Sequence, residues 1–159
     1  MEYYVVGLGG PVATAGADEC FSALWNPSST RRIKMLSCTL YMRDFDIAGN
    51  TFYVTRITAR GTPGSTVTPN ADNSREGDSA PPSGALLDLA EYSAQPTRAS
   101  PELKSPFAFP AGASGAEGSG FLFEAPRGIW IPPGTGVAIC EKNGNTFGGN
   151  WDTGFVFED

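Results

Sequence analysis

Glycine and proline interrupt this chain so often that long helices have little room to form. The 159 residues include 20 glycines and 13 prolines, and both residue types break helices and favour turns. The apolar residues lie in short segments between these breakers. A chain of this length fits one domain with a core of its own. The pattern therefore predicts β-structure with many turns.

Short apolar segments with strand-like alternation recur along the chain. Residues 19–26 predict a first strand, and the last segment, 151–157, alternates most regularly. The predicted inward face of that last strand comprises Trp151, Thr153, Phe155 and Phe157. Roughly eight such segments, separated by turns, indicate a β-sandwich or a barrel rather than a parallel sheet with crossover helices.

Residues 31–42 are the most ambiguous segment. Ile33, Leu36 and Leu40 fit one face of a helix, but no Glu or Gln stands where a capping box needs it. Leu36, Cys38, Leu40 and Met42 alternate as in a strand, and Ile33 and Met35 are out of phase with them. We favour a strand, which would need a bulge or two buried faces.

The stretch GIWIPPGTGVAIC, residues 128–140, could be a phosphate-binding loop, the mouth of an active site or a corner between strands. A phosphate-binding loop needs a lysine and free backbone donors, whereas this stretch has no lysine and two prolines. Its residue types fit a corner, since glycine permits positive φ and Thr135 can bond locally. We therefore predict a surface turn over Pro132–Gly136. The residues predicted to be buried beside it are Ile129, Ile131, Val137 and Ile139.

Residues 60–84 form a long polar segment rich in Gly, Pro, Ser, Thr, Asn and Asp. Such a long excursion from a compact domain is usually functional or mobile. The segment after it, 85–92, fits either one turn of helix or a short strand. Residues 106–110 have a proline at each end, which predicts an edge strand.

Charge and composition argue against several classes of function. The formal net charge is −6 and the isoelectric point about 4.6, so we expect no binding to nucleic acid or to an anionic membrane. The chain has no histidine, which removes Ser-His-Asp and Cys-His catalysis and histidine-ligated metals. We expect no enzymatic activity, no catalytic residues, no metal and no cofactor.

The three cysteines, Cys20, Cys38 and Cys140, give no CxxC motif and an odd total. That arithmetic indicates neither a disulfide framework nor a zinc site. All three stand among apolar residues, so we predict buried, reduced thiols. This state fits synthesis in a reducing cytoplasm.

Residues 1–18 are predicted to form an N-terminal arm before a domain that spans 19–159. Met1 is followed by an acidic residue and a short apolar run, so we expect no signal peptide. No apolar stretch approaches the roughly 20 residues of a membrane span. The arm could be flexible, form an edge strand, or lie on a neighbouring subunit.

Several separated stretches together resemble a known family. They are WNPSSTRRIKMLSCTLYM (25–42), the strand and polar loop of 53–84, IWIPPGTGVAIC (129–140) and the aromatic end WDTGFVFED (151–159). In this layout the sequence resembles the capsid decoration, or cement, proteins of tailed bacteriophages. The resemblance covers about residues 20–159.

The resemblance implies an all-β, single-domain antiparallel β-sandwich, jelly-roll-like, with about eight strands and long loops. It implies a structural virion protein that is made in the cytoplasm of the host bacterium and binds the capsid exterior. Its partners would be the major capsid protein and itself, as a homotrimer at three-fold positions. The candidate capsid or subunit contacts are Tyr3, Tyr4, Val5 and Val6.

The alternative function is a carbohydrate-binding or fibre-head module of a phage virion, because sandwich folds also host such modules. The three tryptophans, Trp25, Trp130 and Trp151, could stack on sugar rings. Equally, they could be aromatic residues of the core or of strand edges.

Overall fold

The computed structural model describes residues 1–9, 19–43, 50–77, 79–89, 92–109, 120–142 and 150–159. These residues form ten strands and one short 3₁₀ turn, Ala71–Asn73. The strands are β1 (Glu2–Gly9), β2 (Glu19–Asn26), β3 (Ile33–Met42), β4 (Asn50–Ala59), β5 (Ser65–Val67), β6 (Leu86–Leu89), β7 (Thr97–Phe109), β8 (Gly120–Ile131), β9 (Thr135–Glu141) and β10 (Trp151–Glu158).

The strands form two antiparallel sheets that pack as a sandwich. The four-stranded sheet has the order β1-β10-β3-β8, and the six-stranded sheet has the order β5-β6-β2-β9-β4-β7. Without β5 and β6, each sheet has four strands, and successive strands alternate between the sheets except at the β4–β7 step. This connectivity is that of a jelly roll, so the predicted fold class is confirmed.

The strand count exceeds the predicted eight because two further segments pair. β5 comes from the polar segment 60–84 and pairs with β6, which settles residues 86–89 as a short strand. β1 comes from the predicted arm and pairs with β10 over its whole length. The first nine residues thus adopt the edge-strand alternative, while residues 10–18 of the predicted arm lie outside the described part. β7 is an edge strand, as its prolines predicted.

The core lies between the sheets and is rich in large aromatic side chains. The predicted inward face of β10 is confirmed, because Trp151, Thr153, Phe155 and Phe157 are all fully buried. Phe21 of β2 meets the Trp151 ring edge-on, with centroids 4.9 Å apart. Burial of side chains of this size is the main stabilising contribution to such a sandwich.

The strand prediction for residues 31–42 is confirmed, and of its two alternatives, a bulge or two buried faces, the structure has the bulge. β3 shifts register against β8 between Met35 and Ser37, so Leu36 interrupts the alternation. Ile33 and Met35 on one side of the bulge, and Cys38 and Leu40 on the other, are all buried. One extra residue therefore turns two out-of-phase apolar sets towards the same core.

The strand corner predicted within residues 128–140 joins β8 of one sheet to β9 of the other. Ile131, Val137 and Ile139 are fully buried, while Ile129 is half-buried against the core. The turn itself is shorter than predicted, since β9 already begins at Thr135. Gly134 has a φ of 66°, and the hydroxyl of Thr135 donates to the carbonyl of Pro132 over 2.8 Å.

The prediction of three reduced thiols is wrong for two of them. Cys20 on β2 lies opposite Cys140 on β9, and the two form a disulfide across 120 residues of chain. Only the strand register brings them together, which their spacing in the sequence could not reveal. Cys38 is a buried free thiol, as predicted.

Candidate interaction face

The outer face of the six-stranded sheet is covered by the chain itself. A second apolar cluster lies there, formed by Cys20, Ala23, Trp25, Tyr53, Ile57, Tyr92, Ala138 and Cys140. Gln95, in the segment that follows β6, accepts a hydrogen bond from the backbone N–H of Cys20 over 2.8 Å. Arg98, at the start of β7, donates to the Tyr53 hydroxyl over 2.7 Å. These contacts hold side chains over the cluster. Among the side chains that the structure describes, this side of the molecule exposes no large apolar one.

Within the described residues, no segment covers the outer face of the four-stranded sheet in this way. Its large exposed apolar side chains are Tyr4, Val6, Leu8, Tyr41, Leu122 and Trp130. We call this surface the bare face. It extends across all four strands, since β1, β3 and β8 contribute these side chains and β10 lies between β1 and β3. The strand register places Asp152 and Gly154 between the β1 side chains and those of β3 and β8. Exposed apolar side chains grouped on one face are typical of a site of protein association.

The alternation of β1 separates the four residues predicted as contacts into two pairs. Tyr3 and Val5 point inward and are buried in the core, so their prediction as contact residues is wrong. The Tyr3 ring stacks on Phe157 with centroids 5.3 Å apart. Tyr4 and Val6 point outward on the bare face, because successive side chains of a strand lie on opposite sides of the sheet.

Three exposed residues of the bare face were not predicted as contacts from the sequence: Leu8, Tyr41 and Leu122. A usable feature was present in β1, where YYVVGL is apolar at both the odd and the even positions. A strand with two apolar sides needs cover on both, one by the core and the other by something else. For Tyr41 and Leu122 such a feature is lacking, because single apolar residues on an outward face are ordinary.

The middle of the bare face is flat because Gly154 of β10 has no side chain. Gly154 stands between Val6 of β1 and Thr39 of β3. A Cβ placed on Gly154 would lie 3.4 Å from the Tyr4 ring and 2.8 Å from the Thr39 hydroxyl. The Tyr4 ring therefore leans over β10 and presents its other side outward.

Three acidic groups of the bare face form ion pairs within the chain. Lys34 contacts Glu158 at 3.1 Å, Arg43 contacts Asp152 at 2.7 Å, and Arg75 contacts Glu2 at 3.1 Å. Such exposed pairs add little to stability. Their consequence is electrostatic, since three acidic groups of this face, including Asp152 between Leu8 and Tyr41, each have a basic neighbour.

Trp130 lies at one end of the bare face, beside a shallow depression of about 510 Å³ lined by Met1, Glu2, Arg32, Trp130, Glu158 and Asp159. The Arg32 guanidinium lies 4.1 Å from the centre of the Trp130 ring and so occupies one side of it. Trp25 and Trp151 are buried, as in the core-aromatic alternative. Of the three tryptophans, only Trp130 is open to a ligand.

A buried polar cluster lies at the β5–β6 insertion. Asp88 is fully buried and accepts two hydrogen bonds from Arg60, over 2.8 and 2.6 Å, and one from Thr66 over 2.9 Å. Burial, and then the Asp88 charge, raise the pKa of Tyr92. The Asp88 hydrogen bond raises the pKa of Arg60. The cluster holds the insertion to the sheet and presents no activated nucleophile.

Metal-ligand groups and membrane-spanning helices are both absent from the described residues. They contain no group of three or more His, Cys, Asp or Glu side chains placed to hold a metal ion. In the same part of the chain, no helix has the length and apolar character that crossing a membrane requires.

The fold and the bare face define a jelly-roll sandwich with one uncovered sheet. Comparison of the chain with protein-family models, with curated proteins and with solved structures found no match.

Proposed function

We propose that the chain is a structural virion protein that binds the outer surface of a phage capsid and stabilises the shell. The observation that carries the proposal is the bare face, an exposed apolar surface of the kind through which the copies of a shell protein can associate. We further propose that the protein works as a homotrimer at three-fold positions and has no catalytic role. The major capsid protein is its proposed partner.

The physical basis of this function is mass action. A protein that binds the assembled shell, and not the free coat subunit, stabilises the shell by its binding free energy. Several copies joined in one oligomer bind together and gain avidity without new contacts. A rigid sandwich with an apolar association surface and a net charge of −6 suits this role, because the acidic remainder of the surface limits unspecific association.

The alternative of a carbohydrate-binding module has less support. Sugar recognition by stacking needs exposed aromatic rings, and Arg32 lies over one side of the Trp130 ring. Titration of the purified protein with glycans, followed by tryptophan fluorescence, separates the two functions. A saturable change in emission would favour the sugar module over capsid decoration.

Co-sedimentation tests the proposed function directly. Purified protein is mixed with expanded capsids of the source phage, stripped of the protein, and in parallel with unassembled coat subunits. We expect saturable binding to the capsids, a raised temperature of capsid disruption, and no binding to the subunits. Absence of binding to expanded capsids would overturn the proposal.

A further inference from the structure

We infer that the bare face is the surface through which copies of this chain associate, so that its occupant is a second copy and not the coat protein. The inference names the surface through which the copies of the proposed capsid protein meet. It rests on the proposed function for the number of copies, which is three. It assigns the contact to Tyr4, Val6, Leu8, Tyr41 and Leu122, which no prediction from the sequence brought together.

Charge is the first argument for a second copy. The chain carries a net charge of −6, so two copies repel each other over most of their surfaces. At the bare face, the acidic groups Glu2, Asp152 and Glu158 each have a basic partner in the same chain. Glu124 is also exposed on this face and has no ion pair within the described residues, so repulsion between two copies is reduced there and not removed.

The residue types in the middle of the bare face also favour a second copy of the chain as the partner. Between Asp152 and Glu158, the outward positions of β10 are Gly154 and Val156, and their neighbours on β3 are Thr39 and Ser37. None of these four residues is charged; Glu124 lies at the edge, on β8. An uncharged centre with aromatic and aliphatic side chains around it is the composition found at contacts between identical subunits.

The size of the face is at the lower limit for a specific contact. Four strands about 4.8 Å apart, each with about eight residues at about 3.4 Å, give an area of about 500 Å² in projection. Two such faces in contact would bury about 1,000 Å², which is near that limit. Contact between two identical faces gives a two-fold pair, whereas in a closed trimer each copy brings two different parts of the face against its two neighbours.

The edge of β1 gives an independent reason to expect contact through the face. An uncovered strand edge could pair with another chain, but the segment 70–75 covers this one. Arg75 donates its backbone N–H to the carbonyl of Glu2 over 2.9 Å, and the Asn73 side chain donates to the carbonyl of Tyr4 over 3.1 Å. Self-association through β1 would therefore use its outward side chains on the bare face and not its backbone edge.

The experiment compares the wild-type chain with charged variants of the bare face by light scattering at micromolar concentration. Leu8 and Leu122 are 68% and 55% exposed, so Leu8→Glu and Leu122→Glu leave the core intact. The wild type should have a mass that is a multiple of 16.7 kDa. Each variant should weaken association at least a hundredfold, because a carboxylate would lose its hydration in the contact.

The matched control is Ser65→Glu, which adds the same charge at an exposed strand position of the other sheet. It should associate as the wild type does, and circular dichroism should show all variants folded. Should Leu122→Glu fail to fold, Leu122→Ala replaces it, with an expected weakening of about tenfold. A monomeric wild type, or face variants that still associate as the wild type does, would overturn the inference.

The same proteins separate this inference from the proposed function. A monomer that still co-sediments with capsids overturns the inference and leaves capsid decoration in place. Association through the face without capsid binding upholds the inference and overturns decoration. A dimer disrupted by the face variants upholds the contact and overturns the trimer.

Discussion

The disulfide between Cys20 and Cys140 should supply a large share of the stability of the fold. It closes a loop of 120 residues, and the chain-entropy relation for a loop of that length gives about 5 kcal/mol at 25 °C. Total stabilities of single domains are about 5–15 kcal/mol. Loss of this one cross-link should therefore leave the sandwich only marginally stable.

The perturbation is the double variant Cys20→Ala/Cys140→Ala, measured by urea denaturation beside the oxidised wild type. With a urea dependence of about 2 kcal/mol per molar for a chain of this size, the midpoint should fall by about 2.5 M. The wild type with a reducing agent should behave in the same way. Cys38→Ala is the matched control, because it removes a buried cysteine and keeps the cross-link.

Thiol titration decides whether the premise is correct. The unreduced wild type in denaturant should titrate one thiol, that of Cys38, and the reduced chain should titrate three. Three free thiols before reduction would refute the assigned pairing. A midpoint shift no larger than that of Cys38→Ala would refute the argument from loop entropy.

Two further predictions concern buried groups, and a third concerns the exposed Trp130 ring. Burial raises the pKa of Cys38 to about 12 and also raises that of Tyr92. The stability that these two protonated groups contribute is fully present below their pKa values in the unfolded chain. Above those pKa values it is lost as pH rises, by about 1.4 kcal/mol per pH unit and group. Urea denaturation between pH 8 and 11 checks this, and a flat profile would contradict it. Arg60→Ala leaves the fully buried Asp88 charge without its ion-pair partner. Because Arg60 is partly exposed and Thr66 still donates to Asp88, the loss should be below the roughly 3–5 kcal/mol usual for breaking a buried pair, about 2–3 kcal/mol in urea denaturation. An unchanged midpoint would count against it. Trp130→Phe should remove most of the acrylamide quenching of tryptophan fluorescence, and quenching that persists would mean that a second tryptophan is accessible.

The sequence was most informative where a local pattern left few structural solutions. As a strand, the two out-of-phase apolar sets of residues 31–42 needed a bulge or two buried faces, and the register shift after Met35 shows the bulge. The Pro-Pro-Gly corner permitted only a turn between buried strands, although its length was overestimated because Thr135 already pairs with Asn26.

The remaining features depend on pairings between distant parts of the chain. The disulfide follows from the register of β2 against β9, which no spacing rule contains. The bare face follows from the order of β1, β10, β3 and β8 in one sheet. An exposed Leu122 or Tyr41 becomes informative only when its neighbours on the adjacent strands are known.

The segment 60–84 links the stability of the fold to the choice of association surface. Its β5 extends the six-stranded sheet through β6, while Asn73, Ser74 and Arg75 cover the edge of β1 in the other sheet. The backbone of Met1 also exchanges two hydrogen bonds of 3.0 Å with Asp159 at the end of β10. β1 is therefore held along its edge and at its end, so its inward side can complete the core while its outward side stays fixed in place. A surface held in this way loses little conformational entropy when a partner binds, which is what association through the bare face requires.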